Sequence, residues 1–465
     1  MAKTDLILTN AIVVTMDDNF KIFEPGAVAI QGDHIVATGM AEDVTRQNDA
    51  QQILDCQGKI VMPGLINAHT HVPMALLRGL ADDLRLDVWL MGYMMPVERE
   101  FVSPEFVYLG TLLSCVELIR SGVTCFADMY YFEEEVAKAT AKAGLRAICG
   151  QTVLKFPAPD AQFFEESLSF TRDYIQRWKG HSLIIPSVAP HAPDTCTDEI
   201  FRLCASLAVE FDVPLLTHLA ETAQEEEKSR EEHGMPVIPY VKKQNLFDAK
   251  VVAAHCVHVD EGEILTLLHH KVGVAHNPSS NLKLASGFAP VTKMIDSGLN
   301  VGIGTDGAAS NNDLDMFEEM RLASFIAKAV SNDPTAIPAQ TTLNMATKMG
   351  AKALHIGDIT GSLEPGKRAD LIMLDIFPLH NTPRFRREDH GLYAQIVYAA
   401  KSTDVTDVMV NGHWLMQNRQ LTTLDENDLI RQAEEYARKI DIFLTEREQS
   451  VLSKLVAIGG ATEAE

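Results

Sequence analysis

From Lys59 to Asp306 the sequence repeats one pattern eight times: a short apolar, β-branched run followed by a longer stretch of helical character. The runs are KIVMPGLINAHTH, VTCFADM, RAICGQTVL, LIIPSVAPHA, VPLLTHLAE, KVVAAHCVHV, KVGVAHNPSSN and NVGIGTDG. Between them, segments such as FVYLGTLLSCVELIRSG, EEEVAKATAKAG, EIFRLCASLAVEF and PVTKMIDSG carry apolar residues at helical spacing. Strands that alternate with helices lie parallel, because each helix returns the chain to the edge where it started. Eight such units over about 250 residues have the size of a (β/α)8 barrel. The expected fold is therefore α/β, with a TIM barrel over residues 59–360.

The flanks read differently. DLILTNAIVVTMDD and GAVAIQGDHIVATG are short β runs, with Gly32-Asp33 as a hairpin turn. GSLEPGKRADLIMLD and VTDVMVNGHWLMQNRQ return to the same texture after the barrel. Residues 1–58 and 361–420 are expected to form one small β-sandwich domain from both ends of the chain. Over 421–465, Leu429, Ala433, Tyr436, Ala437, Ile440 and Leu444 share one face of an amphipathic helical tail. The run ETAQEEEKSREE (221–232) reads as a solvated helix face, apart from Glu221 at its start.

Composition narrows the partners. The chain has 465 residues, 46% hydrophobic and 22% charged, a balance that belongs to globular rather than disordered proteins. A net charge of −24 excludes the basic surface that nucleic acid or an anionic membrane would need. No apolar run reaches the roughly 18 residues of a membrane span, and MAKTDLILTN lacks a signal-peptide core. The seven cysteines are scattered and never spaced as Cys-x-x-Cys, which argues against a disulfide framework and for a reduced, cytoplasmic enzyme.

The chemistry gathers at the strand ends. Run one ends in His69-Thr70-His71, run four at His191 and run five at His218, with Glu221 three residues on. Run six carries His255 and His258, run seven His276, and run eight ends at Asp306. Seven of the sixteen histidines thus stand at one end of a barrel, where residues distant in sequence meet. Alternate residues of a strand share a face, so His69 and His71 point together at the axis and Thr70 turns away. With His218 and Asp306 they offer nitrogen and oxygen donors suited to one divalent metal, Zn²⁺ first, with Fe²⁺ or Mn²⁺ as alternatives.

Taken alone, a His-x-His or an Asp-Gly is commonplace; it is the set, at one end of several strands, that points to a metal site. A bound divalent metal lowers the pKa of water from 15.7 to about 7. Asp306 could then accept a proton from that water, and His255 could hydrogen-bond it from the other side. Glu221 is suited to carry a proton to a substrate ring nitrogen, although a carboxylate at a helix N-terminus also simply complements the dipole.

The segments VMPGLINAHTH, THLAET, VAAHCVH, HNPSSNLKLASGFAPV, GIGTDGAASNN and GSLEPGKRADLIMLD resemble the amidohydrolase superfamily. Within it they resemble the nucleobase and nucleoside deaminase branch, and most of all the 5′-methylthioadenosine/S-adenosylhomocysteine deaminase family. The resemblance runs from about Leu6 to about Gln420, with the motifs in family order. It implies His69, His71, His218 and Asp306 as metal ligands, Glu221 as proton shuttle and His255 as the contact to the hydrolytic water. It further implies His191, Trp89, Glu98 and Ser310 as substrate-binding residues, Trp89 beside the base and Glu98 on the ribose hydroxyls. The implied reaction releases ammonia from the adenine ring of a thioether nucleoside, and the implied assembly is a homo-oligomer, a dimer or tetramer.

Two positions depart from that pattern. Gln151 stands where some relatives have Arg, and Asp194 where relatives often have Tyr, which bears on contacts to a substrate tail. LIIPSVAPHA has no lysine, whereas binuclear superfamily members carry a bridging carboxylated lysine there; this favours one metal, and Lys155 is expected on the surface. The alternative readings are a deaminase or dechlorinase of a free heterocycle (guanine, another purine or an s-triazine), an amide-ring hydrolase, and a non-enzymatic scaffold. A free base leaves Glu98 without a ribose to hold, the missing lysine disfavours the amide hydrolase, and the complete donor set disfavours the scaffold.

Overall fold

The computed structural model describes residues 2–84, 88–385 and 390–460. The chain opens with β1 (Ala2–Val14), β2 (Ile22–Gln31), β3 (His34–Met40), β4 (Asn48–Asp55) and β5 (Ile60–Pro63). Gly32 and Asp33 form the turn between β2 and β3, as expected, with Gly32 at φ +58°. Eight strands follow: β6 (Leu65–Thr70), β7 (Val123–Tyr130), β8 (Arg146–Val153), β9 (Ile184–Pro190), β10 (Pro214–Leu219), β11 (Lys250–His255), β12 (Gly273–His276) and β13 (Val301–Ile303). After them come β14 (Leu371–Leu374), β15 (Val405–Val410), β16 (His413–Gln417) and β17 (Gln420–Leu421).

Strands β6 to β13 pair in sequence order and in parallel, one for each of the eight repeats. Last meets first through side chains and backbone. Asn67 Nδ2 donates to Thr305 Oγ1 at 2.7 Å, and the Asp306 N–H donates to the His69 carbonyl at 2.9 Å. Helices cover the outer face, which is why β7 and β8 are buried along their whole length. Ile66, Ala68, Cys125, Ala127, Ile148, Leu216, Val252 and Ala275 form a separate apolar cluster drawn from successive barrel strands.

The remaining strands join in one mixed sheet in the order β17-β16-β15-β14-β5-β1-β2-β3, with β4 also on β1. The run read from sequence as the first barrel strand divides here. β5 pairs with β1 and β14 in the terminal sheet, and only β6 enters the barrel. Gly64 makes the crossing, where a Cβ would lie 2.1 Å from the Thr124 side chain.

The tail helix, Glu426–Gly460, packs Leu429 and Ile440 into the main core and sets Tyr436 edge-on to Phe106, with centroids 5.4 Å apart. The acidic run is less solvated than expected. Helix Ala223–His233 buries Glu225 and Glu226, because Glu225 accepts from the Glu221 N–H and Glu226 from the Val237 N–H. All seven cysteines are buried and unbridged. Among the described residues no single helix is long and apolar enough to cross a membrane.

Candidate metal and active site

The C-terminal ends of the barrel strands bring five predicted groups together. The rings of His69 and His71 on β6 are 4.8 Å apart, and His69 lies 4.9 Å from His218 of β10 and 5.7 Å from His255 of β11. Asp306, three residues beyond β13, turns Oδ1 to within 3.4 Å of His69 Nε2 and 3.2 Å of His71 Nε2. Donor atoms of His69, His71 and Asp306 lie within 4.8 Å of one another, and so do those of His69, His218 and His255.

Each imidazole is aimed by the bond at its other nitrogen. His71 Nδ1 meets the Met129 carbonyl at 2.7 Å and His218 Nδ1 the His191 carbonyl at 2.8 Å, which frees both Nε2 atoms for the centre. His69 Nε2 is buried without a hydrogen-bond partner. A buried bare nitrogen is costly unless something satisfies it. A divalent cation fits that nitrogen and the mixed nitrogen and oxygen donors around it.

Electrostatics follow from burial and crowding. Burial, then the neighbouring histidines, hold His218 well below the ordinary imidazole range, and burial lowers His69 to about 4. Burial also opposes charge on His71, but Asp306 and Asp128 outweigh it and lift His71 to about 9. For Asp306 burial raises the pKa, yet the two imidazoles keep its carboxyl well below the carboxylate norm. His71 alone is thus favoured as the protonated partner of the Asp306 carboxylate, while His69 and His218 stay neutral donors.

Two backbone positions at the site are strained. His255 has φ +72° and Asp306 φ +61°, in the left-handed region that side chains other than glycine avoid. The Asp306 carbonyl is held there by the hydroxyls of Thr70 and Thr305, each at 3.0 Å. Thr70 therefore turns not away into packing alone but onto the partner strand end.

Glu221 follows His218 by three residues but lies outside both strand and helix. It lies in the link after Ala220 (φ +51°), ahead of the Thr222 cap, with Oε2 3.9 Å from His255 Nε2. His191 directs Nδ1 to Thr195 at 2.8 Å, its ring 4.8 Å from that of His218. Glu98 accepts from the Tyr130 hydroxyl at 2.6 Å, and Tyr130 lies 6.5 Å from His71. Trp89, on the turn Trp89–Met94, is 8% exposed and packs into the main core. Ser310 donates to Asp306 Oδ2 at 2.8 Å. Gln151 is spent on Asp160, Asp194 pairs with Lys228, and Lys155 is exposed beside Phe156.

Sequence reasoning missed the supports. Ser280 also donates to Asp306 Oδ2, at 2.7 Å, and Asn281 Oδ1 takes His255 Nδ1 at 2.8 Å. Both sit in HNPSSN, whose place after the seventh strand was the available signal. His276 is buried, its pKa pushed down to about 3 by burial, while His258 Nε2 bonds the Ser286 carbonyl.

Comparison with known proteins gives the family. The sequence pattern of the amidohydrolase family matches residues 60–415. A 5-methylthioadenosine/S-adenosylhomocysteine deaminase of Syntrophobacter fumaroxidans is 43% identical over 439 residues, 94% of this chain and 99% of that protein. One from Syntrophus aciditrophicus is 39% identical, covering 95% of this chain and 98% of its own. Among solved structures, a zinc-bound adenosine deaminase from Xanthomonas campestris superposes with a TM-score of 0.92 at 38% identity, over 95% of this chain and 99% of that one. A zinc-complexed atrazine chlorohydrolase from Arthrobacter aurescens shares the fold, with a TM-score of 0.84 at 22% identity over 93% of this chain and 99% of its own. The chain belongs to the amidohydrolase family and to the deaminase group that these relatives define.

Proposed function

We propose that this enzyme hydrolytically deaminates the adenine ring of a thioether nucleoside, 5′-methylthioadenosine or S-adenosylhomocysteine, giving the inosine analogue and ammonia. The observation that carries the reading is the bare, buried Nε2 of His69 amid His71, His218 and Asp306. Those four groups would hold one Zn²⁺, the metal of the Xanthomonas relative. When bound, such a metal supplies a water acidic enough to act as a nucleophile near neutral pH.

The chain's own groups do the rest. Asp306 Oδ1, facing the imidazoles, accepts a proton from the attacking water and passes it to the amino nitrogen, whose bond to the ring carbon then breaks as ammonia leaves. His255, with Nδ1 engaged by Asn281, turns Nε2 toward that water and toward Glu221. Glu221 Oε2 carries a proton to the purine ring nitrogen, which removes aromatic resistance to attack at the amino-bearing carbon. Glu98, beside Tyr130, holds the ribose hydroxyls, Trp89 lies beside the base and His191, next to His218, contacts the substrate. The names of the relatives support a nucleoside over a free heterocycle such as guanine or a triazine.

The test is ammonia release by zinc-loaded protein offered methylthioadenosine, S-adenosylhomocysteine, adenosine, guanine and melamine. Fastest turnover is expected with a thioether nucleoside; fastest turnover of a free base defeats the proposal. In parallel, Glu221→Gln should retain zinc and lose at least about 10²-fold in kcat. Near-native kcat in that variant removes Glu221 from the proton path.

A further inference from the structure

The two oxygens of Asp306 are held differently. Oδ1 accepts the Gly307 N–H at 2.8 Å and faces His69 and His71, whereas Oδ2 accepts two hydroxyls, from Ser280 at 2.7 Å and Ser310 at 2.8 Å. The two serines come from different loops, Ser280 on the short helix Pro278–Lys283 after β12 and Ser310 in the turn after β13. Their meeting at one oxygen requires that the loops keep register with each other.

Glu319 does this from behind. It projects from helix Met316–Ser331 and is fully buried. Its Oε2 accepts the Ser279 N–H at 3.1 Å, next to Ser280, and its Oε1 accepts from Asn311 Nδ2 at 2.9 Å, next to Ser310. Asn311 Nδ2 also donates to the Thr305 carbonyl at 2.7 Å, next to Asp306. One carboxyl thus clasps the residues adjoining both serines, while Asn311 bridges it to the backbone before Asp306. Burial raises the Glu319 pKa to about 8 against the pull of its donors. A buried carboxyl stabilises a fold less than an apolar side chain of like size, so packing alone does not account for it.

We propose that Glu319 is a positioning residue for the reaction. It locks the loops after β12 and β13 so that Ser280 and Ser310 both fill Asp306 Oδ2 and leave Oδ1 turned to the imidazoles. The inference rests on Asp306 acting in the reaction as proposed above.

The experiment uses full-length, zinc-loaded enzyme with methylthioadenosine as substrate. Glu319→Ala should lower kcat at least about 10-fold with KM unchanged, and should release zinc to a competing chelator more readily by a comparable factor. Glu319→Gln, of equal length, keeps one accepting oxygen but sets an amide NH2 against the other N–H donor, so both losses should fall between those of the native enzyme and Glu319→Ala. Adding Glu319→Ala to a Ser280→Ala/Ser310→Ala background should cost little more, because groups acting through one another are not additive. Native kcat and zinc retention in Glu319→Ala, a fully additive loss, or a rise in KM alone each overturns the inference. If Glu319→Ala does not fold, Asn311→Ala breaks one arm of the clasp and is held to the same non-additivity with Ser310→Ala. Asp306→Ala separates the two levels. Retained turnover there defeats the role of Asp306 itself, whereas a dead Asp306→Ala beside a native Glu319→Ala defeats only the clasp.

Discussion

Ala220, His255, Cys256 and Asp306 all hold positive φ without glycine's freedom, and all stand where strands β10, β11 and β13 give way to loops. Each such residue costs on the order of 1–3 kcal/mol and persists only where its surroundings outweigh that cost. Around Asp306 the counterweight is visible in the two threonine hydroxyls and the amide bond to His69. Glu98 poses the opposite case, an unstrained carboxylate whose surroundings oppose its charge. Burial raises its pKa, and the Tyr130 hydroxyl and His71 pull it back. If ribose hydroxyls complete its partners, Glu98→Ala should raise KM for nucleosides by about 10-fold or more, the worth of hydrogen bonds to a charged group. Free purines should show no change; steady-state kinetics on paired nucleoside and base substrates would expose an error here.

The link from β10 into helix Ala223–His233 shows how an element can present a single residue. Thr222 caps the helix by accepting the Glu225 N–H at 3.1 Å, and the Glu225 carboxylate returns to take the Glu221 N–H at 2.7 Å. Burial raises the Glu225 pKa to about 8, so between its unfolded value near 4.3 and that figure the folded state binds the extra proton. Stability from this group is therefore complete below about pH 4 and lost as pH rises through 8. Glu225→Gln should flatten that part of the pH profile of Tm, and an unchanged slope would mean the group titrates normally. This helix also marks the limit of what was legible in the sequence. The strand-end histidines, Glu221 and Asp306 were readable because titratable residues interrupt apolar runs there. Glu225 and Glu226 were not, since a carboxylate that turns back to cap its own chain has the same spelling as one facing water. The supports Ser280 and Asn281 were hidden for a related reason, being residue types that any turn would use. The break at Gly64 was marked only by Pro63-Gly64 inside VMPGLIN, a turn signal that shows a bend but not that the chain switches sheets.

Barrel and terminal sheet meet at a buried ion pair. Arg146, opening β8, donates Nε to Asp370 Oδ2 at 2.7 Å, and the other Asp370 oxygen takes the Asn411 N–H at 2.7 Å beyond β15. Arg146 is 2% exposed and Asp370 buried, so neither charge has water to fall back on. Asp370→Ala should destabilise the chain by about 3–5 kcal/mol, the usual result of stranding one partner. Urea midpoints would measure this; a loss below about 1 kcal/mol, the scale of a surface pair, would show that the seam relaxes around the vacancy. The terminal sheet has a further consequence, one of timing. Strand β5 is completed before the barrel begins, yet its neighbour β14 lies some 310 positions later, with Met62 opposite Ile372. At roughly 5–20 residues per second a ribosome needs about 15–60 s to deliver that partner. Throughout that interval the nascent chain displays an open strand edge, the kind of template on which a second unfinished copy can pair. The whole barrel is made while that edge waits, so pairing between unfinished copies competes with folding for as long as synthesis lasts.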